Sequence, residues 1–204
     1  MKRILWLSVA TIVAAFLIYR LVAGKETKPG PPPDQALRIA KNSGPFNIAF
    51  TGLMNDYFSL KDALVDWDTV KADQAAYAMA AKADSLPVSL LKADTAIVET
   101  ARSLAASIVG EAKGLTGESG IEARRHAFDM LTDELYNLVR TVRYDGQTIY
   151  HIRCPMAFND SVAAYWLSAT PAISNPYRGN KHPVYKNKMV GCGEVMDSVD
   201  YGKK

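Results

Sequence analysis

The residues with the most distinctive chemistry are Cys154 and Cys192, the only two cysteines in this chain of 204 residues. Each has a methionine close by, in the patterns Cys154-x-Met156 and Met189-x-x-Cys192. Thiolate and thioether ligands select Cu(I), whereas a hard ion such as Mg²⁺ gains little from them. Four sulfur atoms that converge in the fold would therefore form a copper site, and we treat all four residues as candidate metal ligands.

The same cysteines are also candidates for a disulfide in an oxidising compartment. In the chain-entropy model, closing a loop of this length stabilises a domain by roughly 3–4 kcal/mol. A disulfide and a metal site exclude each other at these thiols, unless reduction switches between them. His151 and His182 are further candidate ligands, because imidazole is a borderline donor and both lie in the same region of the chain.

The sequence contains no pattern of a known catalytic centre. It has no Cys-x-x-Cys-His haem motif, no Gly-x-Ser-x-Gly elbow, no phosphate-binding loop and no His-Glu-x-x-His motif. Its helical carboxylates also lack the Glu-x-x-His spacing of di-iron bundles. We therefore expect no enzyme and no catalytic residues, and Cu(I) is the sole cofactor that the residues suggest.

The N-terminus has the pattern of a membrane segment. Lys2 and Arg3 precede an apolar run from Ile4 to Ala23, and roughly 20 residues suffice for a membrane-spanning helix. The leading basic residues favour a cytoplasmic N-terminus. We predict a signal anchor over residues 1–24 in the inner membrane, with the domain in the periplasm. A cleaved signal peptide is the alternative, and it exports the same domain.

Residues 25–44 contain Pro29 and the run Pro31 to Pro33, which predicts a stiff linker. The chain carries 24 basic and 21 acidic side chains, but five basic groups and only one acid lie in residues 1–33. The rest of the chain is nearly neutral. A nucleic-acid partner therefore finds no support, and the lipid membrane is the partner that the N-terminal segment indicates.

Residues 45–145 have apolar side chains at helical spacing. Four helices are predicted. The first is striped by Leu53, Tyr57, Leu60 and Leu64, and the second is capped by Asp68 or Thr69 and runs through Ala83. The third is striped by Ile97, Ala101, Leu104 and Ile108, and the fourth starts at Ser119 and is striped by Phe128, Leu131, Leu135, Leu138 and Val142. Ser119 and Glu122 have the spacing of a capping box. We expect a mainly α protein with an antiparallel four-helix bundle.

Residues 146–204 form a loop-rich C-terminal module with short strands, which we expect to pack with the bundle as one domain. Strands are predicted at Gln147–Arg153, Ala163–Leu167 and Lys188–Val190, because β-formers predominate there. Turns are predicted between the last two strands, where Asn175-Pro176 and His182-Pro183 occur.

Four tail motifs in order carry a resemblance to a known family: Tyr150-His-Ile-Arg-Cys-Pro-Met-Ala157, Ala164-Tyr-Trp-Leu-Ser168, Ile173-Ser-Asn-Pro-Tyr177 and Met189-Val-Gly-Cys-Gly-Glu-Val195. The chain resembles the family domain of unknown function 3347 from about Phe50 to Val199. The resemblance implies an exported helical domain. It also implies an association with heavy metals, because similar domains are attached to periplasmic adaptor subunits of metal efflux pumps.

Cys154-Pro-Met156 also resembles the Cys-Pro-Met-His-Pro segment of heavy-metal-binding domains, although Ala157 and Phe158 replace its His-Pro. The hypothesis from sequence is a membrane-anchored periplasmic protein that binds or relays copper, with efflux components as partners. The alternative is a disulfide-stabilised accessory subunit of a larger membrane complex. Its interface candidates are the aromatic side chains of Trp166, Tyr177 and Tyr185.

Overall fold

The computed structural model describes residues 42–202, which form four α-helices followed by a three-stranded antiparallel sheet. The helices are α1 (Gly44–Val65), α2 (Thr69–Asp84), α3 (Thr95–Gly117) and α4 (Gly120–Val142), with a 3₁₀ turn at Val88–Leu90. The strands are β1 (Ile149–Phe158), β2 (Val162–Ser168) and β3 (Glu194–Val199). The predicted mainly α class, with short strands at the C-terminal end, is confirmed.

Polar side chains cap the first two helices. The Ser43 hydroxyl accepts a hydrogen bond from the Phe46 N–H at 3.3 Å, which satisfies one free donor of the first turn of α1. The Asp68 carboxylate accepts the Lys71 N–H at 3.0 Å and caps α2, as the sequence predicted. This bond lowers the pKa of the Asp68 carboxyl below its usual value.

The capping box predicted at the start of α4 is wrong. Ser119 is the N-cap residue, but its side chain makes no capping hydrogen bond. The carboxylate of Glu122 instead accepts a hydrogen bond from the buried guanidinium of Arg125 at 2.6 Å. Pairing with Arg125 gives Glu122 a role in holding a buried cation.

Contacts across the helices show that α1 lies antiparallel to both α2 and α4. Lys82, near the end of α2, donates to the Gly52 carbonyl at 3.2 Å and pairs with Asp56 at 2.7 Å, both within α1. Tyr144, just after α4, stacks on Phe50 near the start of α1 with ring centroids 4.5 Å apart. The apolar stripes predicted for α1 and α4 are buried.

The sheet has the order β2-β1-β3, so β1 is its central strand. On one side Ile152 pairs with Trp166 and Cys154 with Ala164, and the register shifts between Cys154 and Phe158. The shift falls where Pro155 lacks the N–H that a regular ladder needs. The cysteine therefore lies at the last regular pair before an irregular stretch.

The strand predicted at Lys188–Val190 is wrong, because this segment forms turns. The Lys188 N–H donates to the Tyr185 carbonyl at 3.0 Å, and the Val190 N–H donates to Asn187 at 3.4 Å. The third strand begins four residues later, at Glu194, and pairs antiparallel with β1.

The sheet and the helices share one hydrophobic core. The Tyr57 hydroxyl of α1 accepts the Leu167 N–H of β2 at 3.0 Å and bonds to the Thr132 hydroxyl of α4 at 2.8 Å. The Asp129 carboxylate of α4 accepts the Tyr165 N–H of β2 at 3.1 Å. Helix side chains thus satisfy the outer edge of β2 and fix the sheet against the bundle.

The predicted membrane anchor lies outside the described residues, and so does most of the proline-rich linker. Within residues 42–202, no helix combines the length and apolar character required to cross a bilayer.

Candidate metal centre

The fold brings the two cysteines together from distant parts of the chain. Cys154 lies on β1 and is 0% exposed, whereas Cys192 lies in the turn before β3 and is half-buried. Arg153 pairs with Glu194 across β1 and β3, so the turn that carries Cys192 runs beside Cys154. The two side chains are close enough for Cys154 to affect the pKa of the Cys192 thiol.

Both cysteines are free thiols in the structure, so the disulfide that the sequence allowed is not formed. Burial raises the pKa of the Cys192 thiol, and the neighbouring Cys154 thiol raises it further. The guanidinium of Arg178 acts in the opposite direction, since a positive charge favours the thiolate. A metal ion that binds here has to displace the thiol protons.

Asn175 holds the backbone of the turn that carries Cys192. This buried side chain donates from Nδ2 to the Cys192 carbonyl at 2.7 Å, and its backbone N–H donates to the Val190 carbonyl at 2.8 Å. Its Oδ1 accepts the N–H groups of Tyr177 and Arg178 at 2.8 and 3.1 Å. All its polar atoms are engaged, which fixes the position of the outer cysteine.

Gly193 brings this turn close to the sheet. A Cβ at Gly193 would lie 2.6 Å from the Trp166 ring and 3.1 Å from the Arg153 carbonyl. The chain can approach β1 this closely because glycine has no side chain. Cys192, one residue earlier, consequently packs against the core of which Cys154 is a member.

The two methionines lie on the segments that carry the thiols. Met156 follows Cys154 on β1, and Met189 opens the turn in which the Cys192 N–H donates to the Met189 carbonyl at 3.0 Å. Both side chains are half-buried. The Met156 carbonyl accepts a hydrogen bond from the guanidinium of Arg178, which joins the β1 segment to the loop after β2.

Arg178 was missed by the sequence reasoning. It is 5% exposed, pairs with Asp160, and lies over the ring of Tyr185 at 5.4 Å. Its Nε is buried and has no hydrogen-bond partner. A basic residue inside a Pro-Tyr-Arg-Gly turn gives no sequence signal of burial, because most arginines lie at the surface.

The structure places His151 away from the thiol pair. Its ring is stacked between Tyr136 and Tyr165, with centroids 4.2 and 4.8 Å away. As a neighbour of buried Ile152 on β1, it occupies the strand face opposite to Cys154. Its Nε2 is buried without a partner, and burial lowers the pKa of the imidazole.

His182 packs against a different part of the fold. Its ring meets Trp67 edge-on at 5.9 Å, and its Nε2 lies 3.4 Å from the Arg178 guanidinium. Its Nδ1 accepts the N–H groups of Val184 and Tyr185, both at 3.2 Å. Both ring nitrogens therefore have partners, which leaves no free lone pair for a metal in this arrangement.

Two of the three aromatic interface candidates are core residues. Trp166 and Tyr177 are 0% and 1% exposed, with ring centroids 6.3 Å apart. They cannot contact a partner in this fold, because the sheet and the loop after it enclose them. Tyr185 is half-exposed, and its hydroxyl donates to Asp160 at 2.9 Å.

No cluster of three or more His, Cys, Asp or Glu side chains suited to a metal ion occurs within residues 42–202. The donors that converge there are the two thiols, with a thioether on each supporting segment. This set suits a soft ion of low coordination number better than a tetrahedral Zn²⁺ site, which is built from four nitrogen, sulfur or oxygen donors.

The fold and this site define a mainly α domain with a small sheet that carries paired thiols. Residues 53–146 match the model of the family described as Protein of unknown function (DUF3347), which is the family that the sequence resembles. The match ends before β1, so the tail motifs lie outside the matched residues. No curated protein and no solved structure matches the chain.

Proposed function

We propose that this protein binds a soft metal ion, Cu(I) in the first place, through the thiols of Cys154 and Cys192. The observation that carries the proposal is that the fold brings two unlinked cysteines, 38 residues apart in the chain, onto neighbouring segments. Two thiolates supply the charge and softness that Cu(I) prefers. The thioethers of Met156 and Met189 complete the proposed ligand set.

The unequal exposure of the two thiols supports a relay of metal rather than permanent storage. Cys192 is half-buried and can meet a donor or acceptor, whereas Cys154 is enclosed on β1. A metal ion that arrives at Cys192 passes to the pair without unfolding the sheet. Metal release follows the same steps in reverse order, so metal exchange proceeds through the Cys192 thiol.

The proposed setting is the periplasmic face of the inner membrane, where the predicted anchor of residues 1–24 would hold the domain. Membrane lipid and components of a heavy-metal efflux system are the proposed partners. This part of the proposal is supported by the N-terminal sequence and by the family resemblance. Labelling of Lys204→Cys with a thiol reagent supplied only from the periplasmic side tests whether the domain lies on that side of the membrane.

Competition for Cu(I) tests the proposed ligands. The full chain, purified in detergent and fully reduced, is titrated with Cu(I) against a chromophoric chelator. Loss of either thiol, in Cys154→Ser or Cys192→Ser, is expected to weaken Cu(I) binding by more than about 100-fold. A loss of that size exceeds what is usual when a residue that only supports the metal ligands is changed. Unchanged affinity in a variant that combines Cys154→Ser with Met189→Ala would contradict the proposal.

Methionine variants provide matched controls. Met156→Leu and Met189→Leu keep the side-chain volume but remove the thioether, and each is expected to weaken Cu(I) binding. Met130→Leu on α4 and Met196→Leu on β3 make the same change at side chains that are 58% and 51% exposed. These two should retain the original affinity, and circular dichroism checks that every variant is folded.

The close thiols also favour a second function, that of an accessory subunit stabilised by a Cys154–Cys192 disulfide. In that case Tyr185 is the remaining aromatic candidate for an interface, because it is half-exposed. Mass spectrometry of protein isolated without reductant separates the two. A quantitative linkage between the cysteines in native protein favours the accessory function, and free thiols with bound copper favour the first.

A further inference from the structure

The two thiols differ in access, although they lie side by side. Cys154 is 0% exposed within β1, and its sequence neighbour Ile152 on the same strand face is equally buried. Cys192 is half-buried, and the turn before it is open at Gly191, where a Cβ would meet no atom within 4 Å. A reagent in solution can therefore reach Cys192, whereas Cys154 is enclosed.

A group bound to the Cys192 sulfur would lie near the second thiol, because the turn that carries Cys192 runs along β1 beside Cys154. An accessible first thiol and an enclosed second thiol are the two parts that thiol–disulfide exchange requires. We propose that Cys154 and Cys192 form a redox-active dithiol that reduces external disulfides, with Cys192 as the attacking thiol and Cys154 as the resolving thiol.

The exchange proceeds in two steps that balance. The Cys192 thiolate attacks one sulfur of an external disulfide, the sulfur–sulfur bond breaks, and the first thiolate leaves and takes a proton. Cys154 then loses its proton and attacks the Cys192 sulfur of the mixed disulfide, which releases the second thiol. Two electrons pass to the substrate, and the protein is left with one intramolecular disulfide.

The surroundings of the pair suit this sequence of steps. Asn175 holds the Cys192 carbonyl at 2.7 Å and keeps the outer sulfur against β1. The product disulfide has no thiolate to offer a metal, so oxidation of the pair also switches off the copper site proposed above. The exchange itself does not depend on copper.

The test uses an aromatic disulfide, 5,5′-dithiobis(2-nitrobenzoate), with the reduced, metal-free full chain in detergent. Wild-type protein is expected to release two thionitrobenzoate ions per chain and to retain no adduct in the mass spectrum. Cys154→Ser is expected to release one ion and to keep the adduct on Cys192. Wild-type protein that retains an adduct on each cysteine would overturn the proposal, because no resolution has occurred.

A second measurement needs no variant and covers the case in which a serine substitution unfolds the domain. Brief alkylation of the reduced native chain with iodoacetamide, followed by peptide mapping, should label Cys192 at least about tenfold faster than Cys154, as burial requires. Equal rates, or faster labelling of Cys154, would contradict the assigned order. Neither readout contains copper, so the exchange and the proposed copper binding can fail independently.

Discussion

The hydroxyl of Tyr57 is predicted to be a main attachment of the sheet to the bundle, and Tyr57→Phe removes only that oxygen. The oxygen accepts the Leu167 N–H at 3.0 Å and bonds to the Thr132 hydroxyl at 2.8 Å. Without it, Thr132 keeps its bond to the Phe128 carbonyl at 2.8 Å, but the buried Leu167 N–H loses its partner. An orphaned buried donor costs about 1–3 kcal/mol, and the lost hydroxyl pair adds about 1 kcal/mol.

The expected loss in the free energy of unfolding is therefore about 2–4 kcal/mol. Urea denaturation followed by circular dichroism measures it, with Tyr77→Phe as the matched control. Tyr77 lies on α2 and is 60% exposed, so the control should change stability by less than about 0.5 kcal/mol. A Tyr57→Phe loss as small as that of the control would refute the assigned hydrogen bonds.

Three further perturbations have defined signs in the same denaturation assay. Gly179→Ala should lower the free energy of unfolding, because φ is +58° and the new Cβ would lie 2.6 Å from a backbone carbonyl. Gly114→Ala on α3 places its Cβ in open space and should stabilise the protein by up to about 1 kcal/mol. Equal effects of the two changes would contradict this prediction. Arg125→Ala should cost about 1–3 kcal/mol, because the buried Pro176 carbonyl loses its donor, whereas the exposed Arg102→Ala should cost little; a similar loss in both would contradict this. Partial burial and, after it, nearby carboxylates raise the pKa of Asp133, so the contribution of this one group to stability falls as pH rises through that pKa. Asp133→Asn should therefore stabilise the protein at neutral pH and have no effect at about pH 3, and a gain independent of pH would refute this assignment.

The helical half of the fold was predictable because its signals are local. The apolar stripe from Leu53 to Leu64 has a helical period, and all four of its members are 0% exposed. Asp68 was expected as a cap, and it accepts the Lys71 N–H. The capping box at Ser119 failed because Glu122 has a stronger partner in the Arg125 guanidinium, a competition that spacing alone does not reveal.

The third strand could not be placed from sequence because its pairing is non-local. Lys188–Val190 is short and apolar enough to suggest a strand, but the surrounding turns take up its N–H groups. Glu194–Val199 is mostly exposed and lacks a buried stripe. What makes it a strand is the ladder with β1, whose paired residues lie more than 40 positions earlier in the chain.

The candidate site was predictable in its residue types but not in its supports. Cysteine is rare here and soft in character, so Cys154 and Cys192 were identified directly, and the fold brings them together. Asn175 was expected only as part of a turn, because its hydrogen bonds to distant backbone groups leave no local pattern. The histidines were grouped with the thiols by sequence distance, whereas strand alternation and ring packing separate them.

Copper X-ray absorption on the full chain loaded with one equivalent of Cu(I) reports the atoms bound to the metal and so tests the proposed thiol ligands without an indirect readout. We expect the copper to be bound by sulfur alone, with at least two scatterers, and this sulfur signal to be lost when Cys154 and Cys192 are both replaced by serine. A shell of nitrogen or oxygen that is the same in the wild type and in the double variant would contradict it.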